Sequence, residues 1–328
     1  MLADVARPPF IDDEDRSFVA DGRDWAAVAD VLRAAVDSPA PALPGDALAW
    51  APPQLPPWRE PPQMARVRTT WACSLAYYGP QFCGYAWQRD DPGRTVQGAL
   101  ERAIEPLLGG RHAAVLSCAG RTDAGVSATG QLASFYAWEP IELAELRDAV
   151  DACAPGSMRL LCARRVPREF HATFGAHWRR YVYLLPLRGA DDDVCAGALD
   201  AQLAPLAGVE RDYAALGRGL PSGKRTRATI LHASARHVQL RPGGADARTV
   251  DAVRIELVAD RFLRRQVRTL VATAVLCARD AARGMARPAL LARACGGRQE
   301  DTAAAAPALG LCFAEAGYEP WARNRLAV

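Results

Sequence analysis

The chain has 328 residues, half of them apolar, with 26 glycines, 24 prolines and a formal net charge of +3. That length suits two domains or one double-sized unit with a full core, and no apolar run approaches a membrane span. Nine scattered cysteines without a CxxC pair argue against a structural zinc or disulfide framework and fit a reducing, cytoplasmic setting.

The small net charge conceals an asymmetry. Residues 1–63 hold five basic and eleven acidic side chains, which leaves the rest with 35 basic against 26 acidic, a net of +9. A basic body fits an anionic partner such as nucleic acid. The acidic start, with Asp4, Asp12, Asp13, Glu14 and Asp15, is unlike a signal peptide. Within this leader, DWAAVADVLRAAV (24–36) has amphipathic helical spacing, and nine prolines between Pro39 and Pro62 give the extended backbone of a linker. The folded body is expected to begin near Met64, with 1–63 an acidic, proline-rich extension dispensable for catalysis.

VRTTWACSLA (67–76) reads as a strand. TVQGALERAIEPLLGG (95–110) reads as a helix, with Val96, Leu100, Ala103 and Leu107 near one face and Gly109-Gly110 as its stop. HAAVLSCAG and QLASFYAW read as two strands around a glycine-rich turn, IELAELRDAVDAC (141–153) as a helix ended by Pro155-Gly156, and MRLLCARRV (158–166) as a strand. The second half repeats this order more loosely: strand WRRYVYLL (178–185), helical pieces within 198–218, a hairpin of ATILHASARHVQL and TVDAVRIELVA, a long helix over 262–284, and a closing strand LCFAEAGYE. The expected fold is α+β, two ferredoxin-like (β-α-β-β-α-β) halves at 64–167 and 168–328, with antiparallel sheets flanking a central basic cleft.

Three clusters could carry chemistry. In AGRTDAGVSATGQLASF (119–135), Gly120 and Gly125 allow a sharp turn that could hold Asp123 at a strand end facing a cleft, although Asp is also an ordinary turn former. Strand alternation sets Arg179, Tyr181 and Tyr183 on one face and Arg180, Val182 and Leu184 on the other; such residues bind phosphate and stack on bases, or pack in a sheet. In the long helix, Leu263, Val267, Leu270, Val271 and Ala274 share one side, and Arg261, Arg265 and Arg268 cluster opposite with Arg264 between. That face is either solvated or meets phosphates or a carboxylate. His171 and His177 lack a nucleophile to pair with, and Ser127 lacks the partners of a hydrolase triad.

Four stretches, in order, resemble the TruA family of tRNA pseudouridine synthases. AGRTDAGVSATGQLASF is similar to the GRTDxGVHAxGQ signature, YYGPQFCGYAWQRDDPGRTVQGALERAI (77–104) to the YDG…GWQ…TVQ…LE opening, REFHATFGAHWRRYVYLL (168–185) to the FHARF…R-Y-x-Y segment, and FLRRQVRTLVATA (262–274) to the F-L-R-H-M-V-R-N-I-V-G helix. The resemblance spans about Arg68 to Pro320. It implies a duplicated ferredoxin-like fold, a homodimer, no metal or organic cofactor, and tRNA as substrate. The implied reaction detaches a uracil from its C1′–N1 bond, turns it and rejoins it through C5, in the anticodon stem-loop at positions 38 to 40. The rivals are a synthase with other tRNA or RNA targets and a catalytically silent tRNA-binding relative.

Residue by residue, Asp123 matches the catalytic aspartate, acting as nucleophile or taking a sugar proton. Arg268 matches the helix arginine that would keep it ionised, Arg121 the arginine that takes the space of the extruded base, and Tyr181 the tyrosine lying against the target uracil. Arg179, Arg180, Arg264 and Arg265 are the expected phosphate contacts, with Gln88 and Arg89 in the opening segment, where GYAWQ carries an apparent insertion. The chain departs from the pattern at Ser127 (usually His), Gln266 (Met), Thr269 (Asn) and Ala272 (Gly).

Overall fold

The computed structural model describes residues 22–37, 61–64, 67–189, 192–242, 248–285 and 289–319. Much of the Pro39–Pro62 linker lies outside the described residues. In chain order come α1 (Trp25–Asp37), β1 (Thr69–Tyr77), α2 (Val96–Ile104), β2 (Ser117–Cys118), β3 (Ser127–Ala137), α3 (Leu143–Cys153) and β4 (Met158–Val166). Then follow β5 (Trp178–Pro186), α4 (Ala196–Leu203), β6 (Glu210–Asp212), β7 (Arg227–Leu240), β8 (Val250–Ala259), α5 (Gln266–Ala282), α6 (Leu290–Gly296) and β9 (Leu311–Gly317). The fold is α+β. Among the described residues no helix is long and apolar enough to cross a membrane.

The strands form one sheet in the order β4-β1-β3-β9-β5-β8-β7-β6, with β2 paired to β3. Every pairing is antiparallel except β3 with β9, which is parallel through Ser127–Cys312 and Ala128–Phe313. The separate sheets expected for the two halves are thus joined at this seam. Gly130 permits it, since a Cβ there would lie 2.1 Å from the Ala314 carbonyl oxygen. β2 and β9 both pair with β3, β2 at Ser134 and Ala133 and β9 at its first two residues. The chain between Cys118 and Ser127 therefore sits where the two halves meet.

Strand alternation divides the apolar residues between two faces. Leu75, Tyr77, Tyr181, Tyr183, Ile255, Leu257, Leu311 and Phe313 belong to the main core, along with buried residues of α2, α3, α4 and α5. Ala76, Tyr78, Val182, Leu184, Cys312 and Ala314 belong to a second cluster, built on Val28, Val31, Leu32 and Val36 of α1. The amphipathic stretch of the leader is accordingly a structural layer of the body, which corrects the expectation that the folded part begins near Met64. Arg23 anchors it through a buried 2.8 Å ion pair with Asp192 and a hydrogen bond to the Pro186 carbonyl.

Two further elements differ from expectation. The apolar run 112–120 forms only the two-residue β2, because the ladder with β3 holds just Ser117 and Cys118 before the chain leaves into the turn, with one further bond from Ala119 N to the Leu132 carbonyl. The long helix begins at Gln266 rather than Phe262. Arg265 has a left-handed backbone (φ 60°), alone among the described non-glycine residues, and Gln266 Oε1 accepts from Leu263 N at 2.7 Å, so the chain turns before the helix starts. From Gln266 to Val275 every residue of α5 is buried, Arg268 among them, whereas Arg264 ahead of the helix is exposed.

Candidate active site

The Asp123 turn is held from below by α2 and the segment before it. Thr95 caps α2, its hydroxyl accepting from Gly98 N at 3.1 Å. The first helical amides, Val96 N and Gln97 N, donate to the carbonyls of Gly84 and Tyr85, and Tyr85 N donates to the Thr122 carbonyl at 3.0 Å. A Cβ on Gly84 (φ 111°) would crowd the Thr122–Ala124 backbone at 3.2–3.5 Å, and one on Gly79 would lie 2.2 Å from the Val126 carbonyl carbon. The turn closes on itself with Val126 N donating to the Asp123 carbonyl at 3.2 Å, while Gly125 takes the left-handed conformation at φ 79°. From the sheet side, Tyr77 and Thr122 share a 2.8 Å hydroxyl–hydroxyl bond, and Gln131 Nε2 donates to the Gly120 carbonyl at 2.7 Å.

The second half closes over the same turn. Phe313 and the Tyr181 hydroxyl lie 3.0 and 3.6 Å from where a Gly120 Cβ would be, and Ala308 lies 3.2 Å from the corresponding point on Gly125. Tyr181 is wedged edge-on between Phe262 and Phe313, both with ring centroids 5.1 Å away. Burial pushes the Tyr181 phenol well above its usual range, and the proximity of Tyr77 and Asp123 pushes it further the same way. The half-buried Asp123 thus lies near enough to the protonated Tyr181 hydroxyl to act on it electrostatically.

The predicted residues fall into three groups. Asp123 and Tyr181 lie close together across the turn, and Arg121 is exposed on the turn itself, two residues before Asp123. Arg268 is buried at the start of α5, its Nε donating to the Ala306 carbonyl at 2.6 Å and its own carbonyl accepting from Ala306 N. It thereby holds the 306–308 segment on which Gly125 rests.

The expected phosphate contacts divide. Arg264 is exposed beside Gly219, and Arg265 occupies the left-handed position before α5. Gln88 and Arg89 are exposed, Gln88 donating to the Cys83 carbonyl at 2.8 Å. Arg180 does not reach a surface: it lies on the opposite sheet face, buried and paired with Glu256 at 3.0 Å, beside a second buried guanidinium, Arg254. Strand alternation turned it toward the α1 side. Arg179 is on the site face, but its guanidinium donates to four carbonyls, of Ala119 (3.0 Å), Ala176 (2.8 Å), Asp260 (2.8 Å) and Thr173 (2.7 Å). It ties the root of the Asp123 turn to the segment before β5 and to the residue that follows β8.

Comparison with known proteins bears on this arrangement. Residues 210–319 match the family described as tRNA pseudouridine synthase. The chain is 32% identical over 262 residues to the tRNA pseudouridine synthase A of Syntrophotalea carbinolica, covering 95% of that protein and 75% of this one. It belongs to the tRNA pseudouridine synthase family. Its similarity to the synthase A of Synechococcus sp. strain CC9902 is 33% over 261 residues, covering 79% of this chain and 84% of that protein. With that of Chloroflexus aurantiacus it is 36% over 221 residues, covering 64% and 76%.

Within the family frame, two of the departures acquire structural roles. Ser127 is fully buried and its hydroxyl accepts from Gly79 N at 2.9 Å, binding the turn to the segment beneath it. Gln266 shapes the entry to α5 through Leu263. Thr269 is buried with its hydroxyl unpaired, and nothing in the structure explains that substitution. The residues that pattern reading missed are Gln131, Tyr77 and the staple function of Arg179. The signal available was the polar Gln131 within a strand otherwise fit for burial; no local signal distinguishes an arginine that binds carbonyls from one that binds phosphate.

Proposed function

We propose that this chain isomerises uridine to pseudouridine in tRNA, within the anticodon stem-loop, through Asp123. The observation that carries the reading is similarity across 95% of the length of a tRNA pseudouridine synthase, with the Arg121-Thr122-Asp123 turn set against Tyr181. Asp123 acts on the nucleotide as nucleophile or as base toward a sugar proton. Arg121, exposed beside it, takes the space that the flipped base vacates, a step that costs a few kcal/mol of unstacking. The neutral phenol of Tyr181 lies against the uracil and hands a proton to it or from it. Arg268, which holds the 306–308 segment against the turn, is the guanidinium assigned as the partner of Asp123.

The strand order of the first half, β4-β1-β3-β2, and that of the second, β9-β5-β8-β7, support two ferredoxin-like halves, 64–167 and 168–328, meeting at the β3–β9 seam with a basic cleft above it. Arg264, Arg265 and Arg89 would line that cleft with Gln88. A homodimer in the cytoplasm is the expected working form. The test is Asp123→Asn, incubated with unmodified tRNA and compared with wild type. Pseudouridine formation is expected to vanish while tRNA affinity stays within a few-fold; equal activity in both proteins would remove Asp123 from the chemistry. Mapping the modified positions checks the stem-loop assignment, and modification elsewhere would favour the rival with other RNA targets.

A further inference from the structure

Phe174 is 85% exposed, far beyond the next large apolar side chain among the described residues, Val115 at 58%. An aromatic ring left in water forgoes the stabilisation that its burial would give, so its position calls for a cause. The backbone beneath it is firmly held. His171 Nδ1 accepts from Thr173 N at 3.2 Å and Phe174 N at 3.4 Å, and Gly175 N donates to the His171 carbonyl at 2.9 Å. Thr173 Oγ1 donates to the Cys118 carbonyl at 2.6 Å, and Arg179 donates to the carbonyls of Thr173 and Ala176 on either side of the ring. The ring leans on the His171 imidazole, centroids 4.4 Å apart and planes tilted by 36°.

The location is as informative as the exposure. Cys118, which receives the Thr173 hydroxyl, lies three residues before Arg121 and five before Asp123. The same neighbourhood is cationic: both Arg121 and Arg179 act electrostatically on the Cys118 thiol, and Arg261 lies close enough to Arg179 to oppose its charge. An exposed, preorganised π face in a field of guanidinium groups suits a nucleobase on a phosphate backbone better than an apolar protein surface.

We propose that Phe174, backed by His171, is a stacking platform for an unpaired base of the RNA substrate near the target uridine. The assignment rests on the synthase reading above, which supplies RNA as the ligand. Stacking on an aromatic side chain is sequence-tolerant, so the platform adds affinity and orientation without selecting a base.

The test uses the full-length protein and an unmodified tRNA transcript, with Phe174→Ala, Phe174→Leu and Phe174→Trp. Affinity and pseudouridine formation are measured, and thermal unfolding and sedimentation are recorded for each protein. Alanine and leucine are expected to weaken tRNA binding about tenfold, and tryptophan to keep it within about twofold, with unfolding unchanged because the ring touches so little. Leucine retains apolar bulk without a π face and so separates stacking from plain apolar contact. Equal affinity in wild type and Phe174→Ala, with wild type forming pseudouridine, overturns the platform and leaves the synthase reading standing. A wild type that binds tRNA through Phe174 yet forms no pseudouridine overturns the synthase reading and leaves the platform. Altered sedimentation with unaltered RNA affinity assigns the ring to a protein contact and overturns the proposal.

Discussion

Arg179 sends four hydrogen bonds from one guanidinium to carbonyls of residues 119, 173, 176 and 260, a fan that only its planar, multi-donor head can make. Arg179→Lys keeps the charge but not the fan. The expected outcome is a fall in kcat of roughly 10–100-fold, as a small misplacement of reacting groups produces, with KM for tRNA little changed. A raised KM at unchanged kcat would return Arg179 to phosphate binding. Tyr181 yields a pH prediction with a definite sign. Burial first, then Tyr77 and Asp123, disfavour its phenolate, so the folded protein keeps the hydroxyl protonated above the ordinary tyrosine range. The rate profile of the wild type should show no descending limb from this group up to pH 10, whereas a limb that disappears in Tyr181→Phe would contradict the assignment.

At the level of elements, the glycine segment 79–84 and the turn 120–127 are one unit folded from two distant pieces of chain. Gly79→Ala forces a Cβ into the Val126 backbone. It should destabilise the protein by about 1–3 kcal/mol or more and depress activity even in whatever fraction remains folded, as a comparison of unfolding midpoint with specific activity would reveal. α1 is the second element with consequences. Leu32 is fully buried under the sheet, and Leu32→Ala should cost about 2–5 kcal/mol, read from denaturant midpoints; a leader that was a mere appendage would show no change. Burial raises the Asp192 carboxyl, but the Arg188 amide and the Arg23 guanidinium outweigh it and hold it below the usual value. Its stabilising contribution is therefore present above about pH 4 and is lost as pH falls through the lowered value, so Asp192→Asn should flatten the acid limb of stability.

How much of these elements was legible follows from range. β4 was read with its true ends because both its apolar spacing and its turn signals are local. β2 was overread, since an apolar run states a wish for burial and says nothing about whether a neighbour exists to pair with. The start of α5 was misplaced by four residues because the left-handed Arg265 is imposed by the Gln266–Leu263 contact and by the packing around it, which no helical period encodes. Strand alternation separates Arg179 from Arg180 in the sequence already, but the partners on each face, carbonyls for one and a carboxylate for the other, come from distant strands and loops.

For the whole molecule, the β3–β9 seam makes one continuous sheet, and the proposed RNA surface predicts a salt-dependent contact. Arg264→Ala is expected to weaken tRNA binding and reduce the salt dependence of log Kd by about one unit of slope; an unchanged slope would remove this residue from the RNA surface. The amino-acid sequence by itself determined the α+β element order, the turn that presents Asp123 and the family, because these depend on local periodicity and on ordered motifs. Tertiary structure alone decided that the leader helix is a layer of the body, which guanidinium is exposed and which one staples the fold, and that Phe174 stands in the open. The reason is physical: a side chain's partner is set by which strands cross near it, and that crossing is a property of the assembled sheet.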